Sequence, residues 1–348
     1  MPRSRGSRRA GRGGRTRAVA ELGEFGLIAR LTTLVPTTGP GVALGIGDDA
    51  AVLEFHGRAV ATCDVQVEGV HFRFDLARPA DVGWRALAVN LSDVAAMGGT
   101  PRYALVSLLV RPKTPVRVVD GIYRGLAAAA RAHRVSVVGG NVSRSPGGVV
   151  VDVTLLGEAG RVLERNGARP GDGLWMTGTA GKAAAGLFLA SRPALRTRGA
   201  AALRAAYRRP SPRLAAGRAL AKLPAVTAAL DTSDGTAADA LHLADASGVG
   251  VLLDETRLPL PDGLAAAARA AGRDPLAWAL GGGEDYELLF TARPAFARLA
   301  SSVARTAGIP VTRIGDIVPL DAGRWILGAG GRRRPLAAAG WDHLARSR

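Results

Sequence analysis

Strand-like and helix-like segments alternate irregularly along this chain from about Glu21 onward, and strand candidates repeatedly stand side by side. A doubly wound parallel sheet requires regular strand–helix alternation, so this order predicts two α/β or α+β layers instead. Segments 51–55 and 58–67 read as strands joined by a His56-Gly57 turn. Residues 81–97 read as a helix stopped by Gly98-Gly99 and Pro101, and 115–133 as a helix with proline at its start. Strand 103–110 lies between them, and strands 135–138 and 149–156 flank a Gly-rich turn. A Gly- and Arg-rich stretch, 157–173, marks a domain junction. Beyond it, short strands at 174–177, 225–230, 249–253, 286–291 and 311–314 interleave with helices at 180–189, 234–246 and 295–307. A chain of 348 residues is long enough for two such domains, each with its own core.

No apolar run approaches the roughly 20 residues a membrane-spanning helix needs, which excludes a helical membrane protein; no membrane partner is expected. Cys63 is the only cysteine, so a disulfide scaffold is excluded. One cysteine and no secretory signal predict a cytoplasmic protein. The formal charge of +17 invites a nucleic-acid reading, but only Lys113, Lys182 and Lys222 of the basic residues are lysine. The excess of Arg over Lys, with abundant Ala, Gly and Pro, reads as compositional bias. Aromatics are 5%, too few for a stacking groove, so no specific nucleic-acid partner is expected. Residues 1–18 hold seven of the arginines and read as a disordered basic tail.

Two glycine-rich segments mimic nucleotide loops. Gly45-Ile46-Gly47-Asp48-Asp49-Ala50 fits a dinucleotide fingerprint, but a strand follows it rather than a helix, and two aspartates would repel bare phosphate. Gly178 to Ala183 resembles a Walker A loop, yet its first glycine falls on Met176 and Ala183 has no hydroxyl for magnesium.

Acids are scarce, 29 in all, yet many stand in short, often Gly-flanked clusters at strand or helix ends. These are Asp48-Asp49, Cys63-Asp64 with Glu68, Ser92-Asp93, Asp231-Thr232-Ser233-Asp234-Gly235, and Gly281-Gly282-Gly283-Glu284-Asp285. Any one could be a turn or a helix cap. Together they predict a cleft of carboxylates that repel unless cations sit between them. Magnesium favours such oxygen donors and binds them alongside substrate phosphates, which points to transfer of a phosphoryl group. Gly139-Gly140-Asn141 reads as a further phosphate turn.

The segments LGIGDDAAVL, VEGVHF, AVNLSDVAAMGGTPRYALVSL, GARPGD, DTSDG and GGGEDYEL, in this order, resemble the thiamine-monophosphate kinase family from about Glu24 to the terminal GWDHL. The resemblance implies an aminoimidazole ribonucleotide synthetase-like fold, α/β (α+β), with an N-terminal mixed sheet that pairs in a dimer and a C-terminal α/β sandwich. It divides the chain into the tail (1–18), an N-terminal ATP- and Mg-binding dimerisation domain (19–158) and a C-terminal α/β domain (159–348). It implies a kinase that phosphorylates thiamine monophosphate to thiamine diphosphate, with ATP as co-substrate and several Mg2+ ions, as a homodimer. By the same resemblance Asp49, Thr62, Cys63, Asp64, Asp93, Asn141, Asp231 and Asp234 stand at the metals, with Asp93 and Asp234 catalytic. Gly140, Asn141, Arg165 and Ser233 would contact the nucleotide, and His71, Glu284 and Trp341 the thiamine phosphate.

Two positions depart from the family pattern. Gly140-Asn141-Val142 stands where the family usually has Gly-Gly-Asp-Thr, and Thr62-Cys63-Asp64 where it has Ser-Thr-Asp. The first removes a carboxylate, and the second offers magnesium a thiol, a poor donor. These departures are compatible with a kinase that has one weaker metal site or with a relative that phosphorylates another small metabolite; a non-catalytic nucleotide-binding protein is a separate alternative, against which the retained Asp49, Asp93, Asp231 and Asp234 argue.

Overall fold

Leu27 and Leu31, one helical turn apart, anchor α1 (Gly23–Thr32). The computed structural model describes residues 17–337, so Trp341 and most of the basic tail lie outside the described residues. Arg17 and Ala18, counted with the tail from sequence, are already paired: the Val116 N–H donates to the Arg17 carbonyl at 2.9 Å, and Ala18 bridges Pro115.

Two short strands, β1 (Val42–Leu44) and β2 (Val52–Leu53), form an antiparallel pair. The first large sheet contains β3 (Arg58–Val67), β4 (Thr100–Val110), β5 (Ser136–Arg144) and β6 (Val150–Ala159), in the order β3-β6-β4-β5. Only β4 and β5 run parallel, so the sheet is mixed. Helix α2 (Pro79–Ala96) lies on one face, with α3 (Val116–His133) packed against it. Pro79 opens α2, where its missing N–H costs nothing. The Asp81 carboxylate accepts from the Arg78 N–H and closes the first turn. Leu87 and Leu91 of α2 are fully buried, and truncating either to Ala would cost about 2–5 kcal/mol.

The Gly139-Gly140 turn expected from sequence is instead the middle of β5. Gly140 has φ +150°, and a Cβ there would lie 2.0 Å from the Val106 carbonyl oxygen, so glycine lets β5 press against β4 at a bulge.

The second sheet has seven strands: β7 (Gly173–Thr177), β8 (Val226–Asp231), β9 (Gly250–Asp254), β10 (Leu288–Ala292), β11 (Val311–Val318), β12 (Arg324–Leu327) and β13 (Arg333–Pro335). Their order is β13-β12-β9-β11-β7-β10-β8, antiparallel except for β12 beside β9. Around it run α4 (Lys182–Ala190), α5 (Ala200–Arg208), α6 (Leu214–Ala221), α7 (Thr236–Ser247), α8 (Leu264–Ala271), α9 (Pro275–Gly281) and α10 (Ala300–Ala307). One apolar core runs from Leu87 and Leu91 into Trp175, Phe290 and Phe296 of the second half, so the two sheets share packing. That shared packing holds the cleft between them.

Candidate active site

Successive side chains of a strand point to opposite faces. On β3 this turns Thr62, Asp64 and Gln66 toward α2 and Cys63 away from it. Thr62 donates its hydroxyl to Asp93 of α2. The preceding residue, Ser92, reaches the other half of the molecule and donates to Asp231 at the end of β8, 2.6 Å away. Asp64, Asp93, Asp231 and Asp234 thereby line one cleft of about 630 Å³ between the two sheets, together with His71, Arg165, Ser233 and Glu284.

The electrostatics of this group are those of carboxylates short of cations. Burial, then the charges of Asp93 and Asp152, push Asp64 up to about 6. Burial and the Asp93 charge push Asp231 up to about 7, against the lowering effect of its Ser92 bond. Burial likewise raises Asp93, although the Thr62 hydroxyl and the Arg165 charge pull it down. Asp239, one turn into α7 and 2% exposed, is pushed up to about 8 by burial and by Asp231 and Asp234. Its carboxylate accepts from the Gly235 N–H at 3.0 Å. Oxygen donors in such number suit a hard divalent cation. Asp234, Asp239 and His242 also bring ligand atoms within 4.8 Å of one another.

The opposite wall is the segment Gly281–Glu287, zipped to the Asp231–Gly235 loop. The Glu284 N–H donates to the Ser233 carbonyl and the Tyr286 N–H to that of Thr232. A Cβ on Gly283 would meet the Ser233 carbonyl oxygen at 2.4 Å, so only glycine allows this approach. Glu284 and Tyr286 hold positive φ angles of 70° and 51°, uncommon for residues with side chains. The Walker-like Gly178–Ala183 segment is explained here. Asp285 accepts from the Gly181 and Ala183 N–H groups at the start of α4, and Lys182 pairs with the buried Glu287. Its lysine is spent on a carboxylate.

His71 lines the cleft half-buried, its Nδ1 accepting from the Val67 N–H at 3.1 Å. That bond places the proton of a neutral ring on Nε2.

Four expected site residues are not among those lining this cleft. Cys63 is on the outer face of the sheet, its Sγ 3.2 Å from Asp152 and 3.5 Å from Thr154, because it follows Thr62 on a strand. Asn141 stands exposed in β5 opposite Ser107, and Gly140 beside it packs on β4. Asp49 is exposed in the loop before β2, outside the cleft lining. Trp341 falls outside the described residues. Asp239 and Arg85 were not anticipated. Each is a charged residue on a buried, apolar helix face, a signal readable from helical spacing.

Residues 47–159 match the family described as AIR synthase related protein, N-terminal domain, and residues 169–326 match its C-terminal domain. A thiamine-monophosphate kinase of Escherichia coli is 37% identical over 329 residues, which is 93% of this chain and 98% of that protein. The crystal structure of thiamine-monophosphate kinase from Stenotrophomonas maltophilia is 36% identical, with a TM-score of 0.76, covering 89% of this chain and 97% of that one. The structure of AaThiL complexed with AMPPCP and TMP is 35% identical, with a TM-score of 0.74, covering 95% and 100%. With a shared two-domain fold, and identity above one third along nearly its whole length, this chain belongs to the thiamine-monophosphate kinase family.

Proposed function

We propose that this protein transfers the terminal phosphoryl group of ATP to the phosphate of thiamine monophosphate, yielding thiamine diphosphate and ADP. The observation that carries this reading is the convergence of Asp64, Asp93, Asp231 and Asp234 on one cleft, with Arg165 among them. A phosphate oxygen is already anionic near neutral pH, so the reaction needs alignment and charge neutralisation more than a strong base. The donor set fits magnesium: four carboxylates, of which Asp64 and Asp231 are raised by burial and by neighbouring acids and Asp93 by burial, and the Thr62 hydroxyl bonded to Asp93. Asp64, Asp93, Asp231 and Asp234 would hold the ions, which when bound neutralise charge on the phosphate oxygens.

The chain's own groups do the rest. Thr62 and Ser92 hold Asp93 and Asp231 in place. Arg165 offers a guanidinium fork to phosphate and Ser233 a hydroxyl. His71 and Glu284 stand on the acceptor side of the cleft. Helix α2 covers only one face of the first sheet. The other face carries Ala61, Cys63, Leu105, Leu109 and Leu156, half-buried or exposed, which supports pairing of two copies through these sheets. A reducing, cytoplasmic setting fits the single cysteine, and no helix among the described residues is long and apolar enough to cross a membrane.

The test is purified protein with ATP, Mg2+ and thiamine monophosphate, with products separated by chromatography. Thiamine diphosphate and ADP in equal amounts are expected. Nucleotide binding with no thiamine diphosphate formed would instead favour a relative acting on another phosphorylated metabolite.

A further inference from the structure

Arg85 is a charged side chain in the buried interior of α2, only 4% exposed. Its guanidinium is divided among three elements. Nε donates to Gln66 Oε1 on β3 at 3.2 Å, Nη1 to the Tyr207 carbonyl on α5 at 2.8 Å, and Nη2 to Glu284 Oε1. The plane also lies over the Tyr207 ring, 5.4 Å from its centre. The planar fork of Arg makes such a three-way arrangement rigid. Glu284 is the residue with φ +70°, held at the edge of the cleft with a third of its side chain exposed. Arg85 occupies one of its oxygens. The other, Oε2, has no protein partner among the described residues.

We propose that Arg85 is a positioning residue for the acceptor: it fixes the Glu284 carboxylate on the cleft wall so that the free oxygen receives a cationic or N–H-bearing group of the acceptor molecule. This rests on the acceptor reading above. Neighbouring carboxylates do not share the arrangement. Asp285 is tied to the start of α4, and Glu287 is fully enclosed by Lys182, Arg213 and Thr177. Within this segment Glu284 is the carboxylate left able to meet a ligand, and Arg85 decides where it points.

The experiment compares Arg85→Met, Arg85→Lys, Glu284→Gln and the Met/Gln double variant. It measures KM for thiamine monophosphate and for ATP, and calorimetric binding of thiamine monophosphate without ATP. Losing a charge-assisted anchor should raise KM and Kd for thiamine monophosphate about tenfold in Arg85→Met, with KM for ATP within about twofold. Arg85→Lys should recover most of that loss, and the double variant should match Glu284→Gln alone, because both substitutions remove one unit. Equal rises for both substrates, or losses that multiply in the double variant, would reduce Arg85 to an interdomain brace and overturn the proposal. If Arg85→Met does not fold, Arg85→Gln, which stays polar but carries no charge, decides by the same split between substrates. Wild-type protein that binds thiamine monophosphate but forms no product counts against the kinase reading. An unchanged Kd in Arg85→Met counts against Arg85.

Discussion

Asp231 and Glu287 are buried carboxylates at the meeting of β8 and β10, joined through Thr232, whose N–H donates to the Glu287 carbonyl. Burial pushes both toward the protonated form, yet they end shifted in opposite directions. Around Glu287, Lys182 and the two nitrogens of Arg213 overcome burial and hold it below its ordinary value. Around Asp231 stand other acids, and it is pushed up to about 7. The protein bonds cations directly to one carboxylate and leaves the other with only the Ser92 bond and the charge of Arg165 to oppose burial and its acidic neighbours. A buried acid with built-in partners is part of the scaffold. A buried acid among acids is a place for ligands that bring their own positive charge.

The sharpest way to break this contrast is to remove a carboxylate from each side. Asp93→Asn should cost at least about a hundredfold in turnover if Asp93 holds metal as proposed. Near-normal turnover in steady-state assays would take Asp93 out of the site. Glu287→Gln should instead act on stability. It leaves Lys182 and Arg213 facing a neutral amide in a nearly closed pocket, at a cost of about 3–5 kcal/mol. Denaturant unfolding would show it, and a loss below about 1 kcal/mol would mean the cluster is not the scaffold described here.

A smaller effect should appear in the pH dependence of the metal-free protein. Asp231 and Asp239 are raised to about 7 and about 8 from an ordinary 3.8, so the folded state binds their protons more tightly than the unfolded state. Their contribution to stability is full below about pH 4 and is lost as pH rises through 7 to 8. Melting temperature should therefore fall across that window, and added Mg2+ should restore it at pH 8. Asp239→Asn, which copies the protonated form, should flatten the fall. A melting curve insensitive to pH between 5 and 8 would contradict the raised values. Smallest of all, Cys63→Ser should change turnover by less than about twofold, because the thiol faces Asp152 on the far side of the strand. A larger loss would place Cys63 at the chemistry after all.

What could be read from sequence follows the same division. Strand β3 appears with the bounds its alternation predicts, and α3 begins one residue after its proline. The Gly-rich middle of β5 was read as a turn because glycine's usual local meaning is a turn. Only the closeness of Val106 shows why the strand needs it. Strands β12 and β13 are short and are held by pairing, β12 to β9 and β13 to β12, so no local pattern marks them. In the site, Asp64, Asp93, Asp231 and Asp234, grouped by motif resemblance, line one cleft. It also grouped Cys63 with Asp64, whose side chains the strand turns to opposite faces. Which acids are compensated was not legible at all, since Lys182, Arg213 and Arg85 come from distant segments.

The central claim is that the uncompensated carboxylates serve phosphoryl transfer through cations they do not themselves possess. The most direct measurement follows thiamine diphosphate formation from ATP and thiamine monophosphate while magnesium is removed by EDTA and then returned. The account predicts formation that stops with EDTA and resumes with Mg2+, with ADP produced in equal amount. Undiminished formation in EDTA, or no thiamine diphosphate at any magnesium concentration, would contradict it.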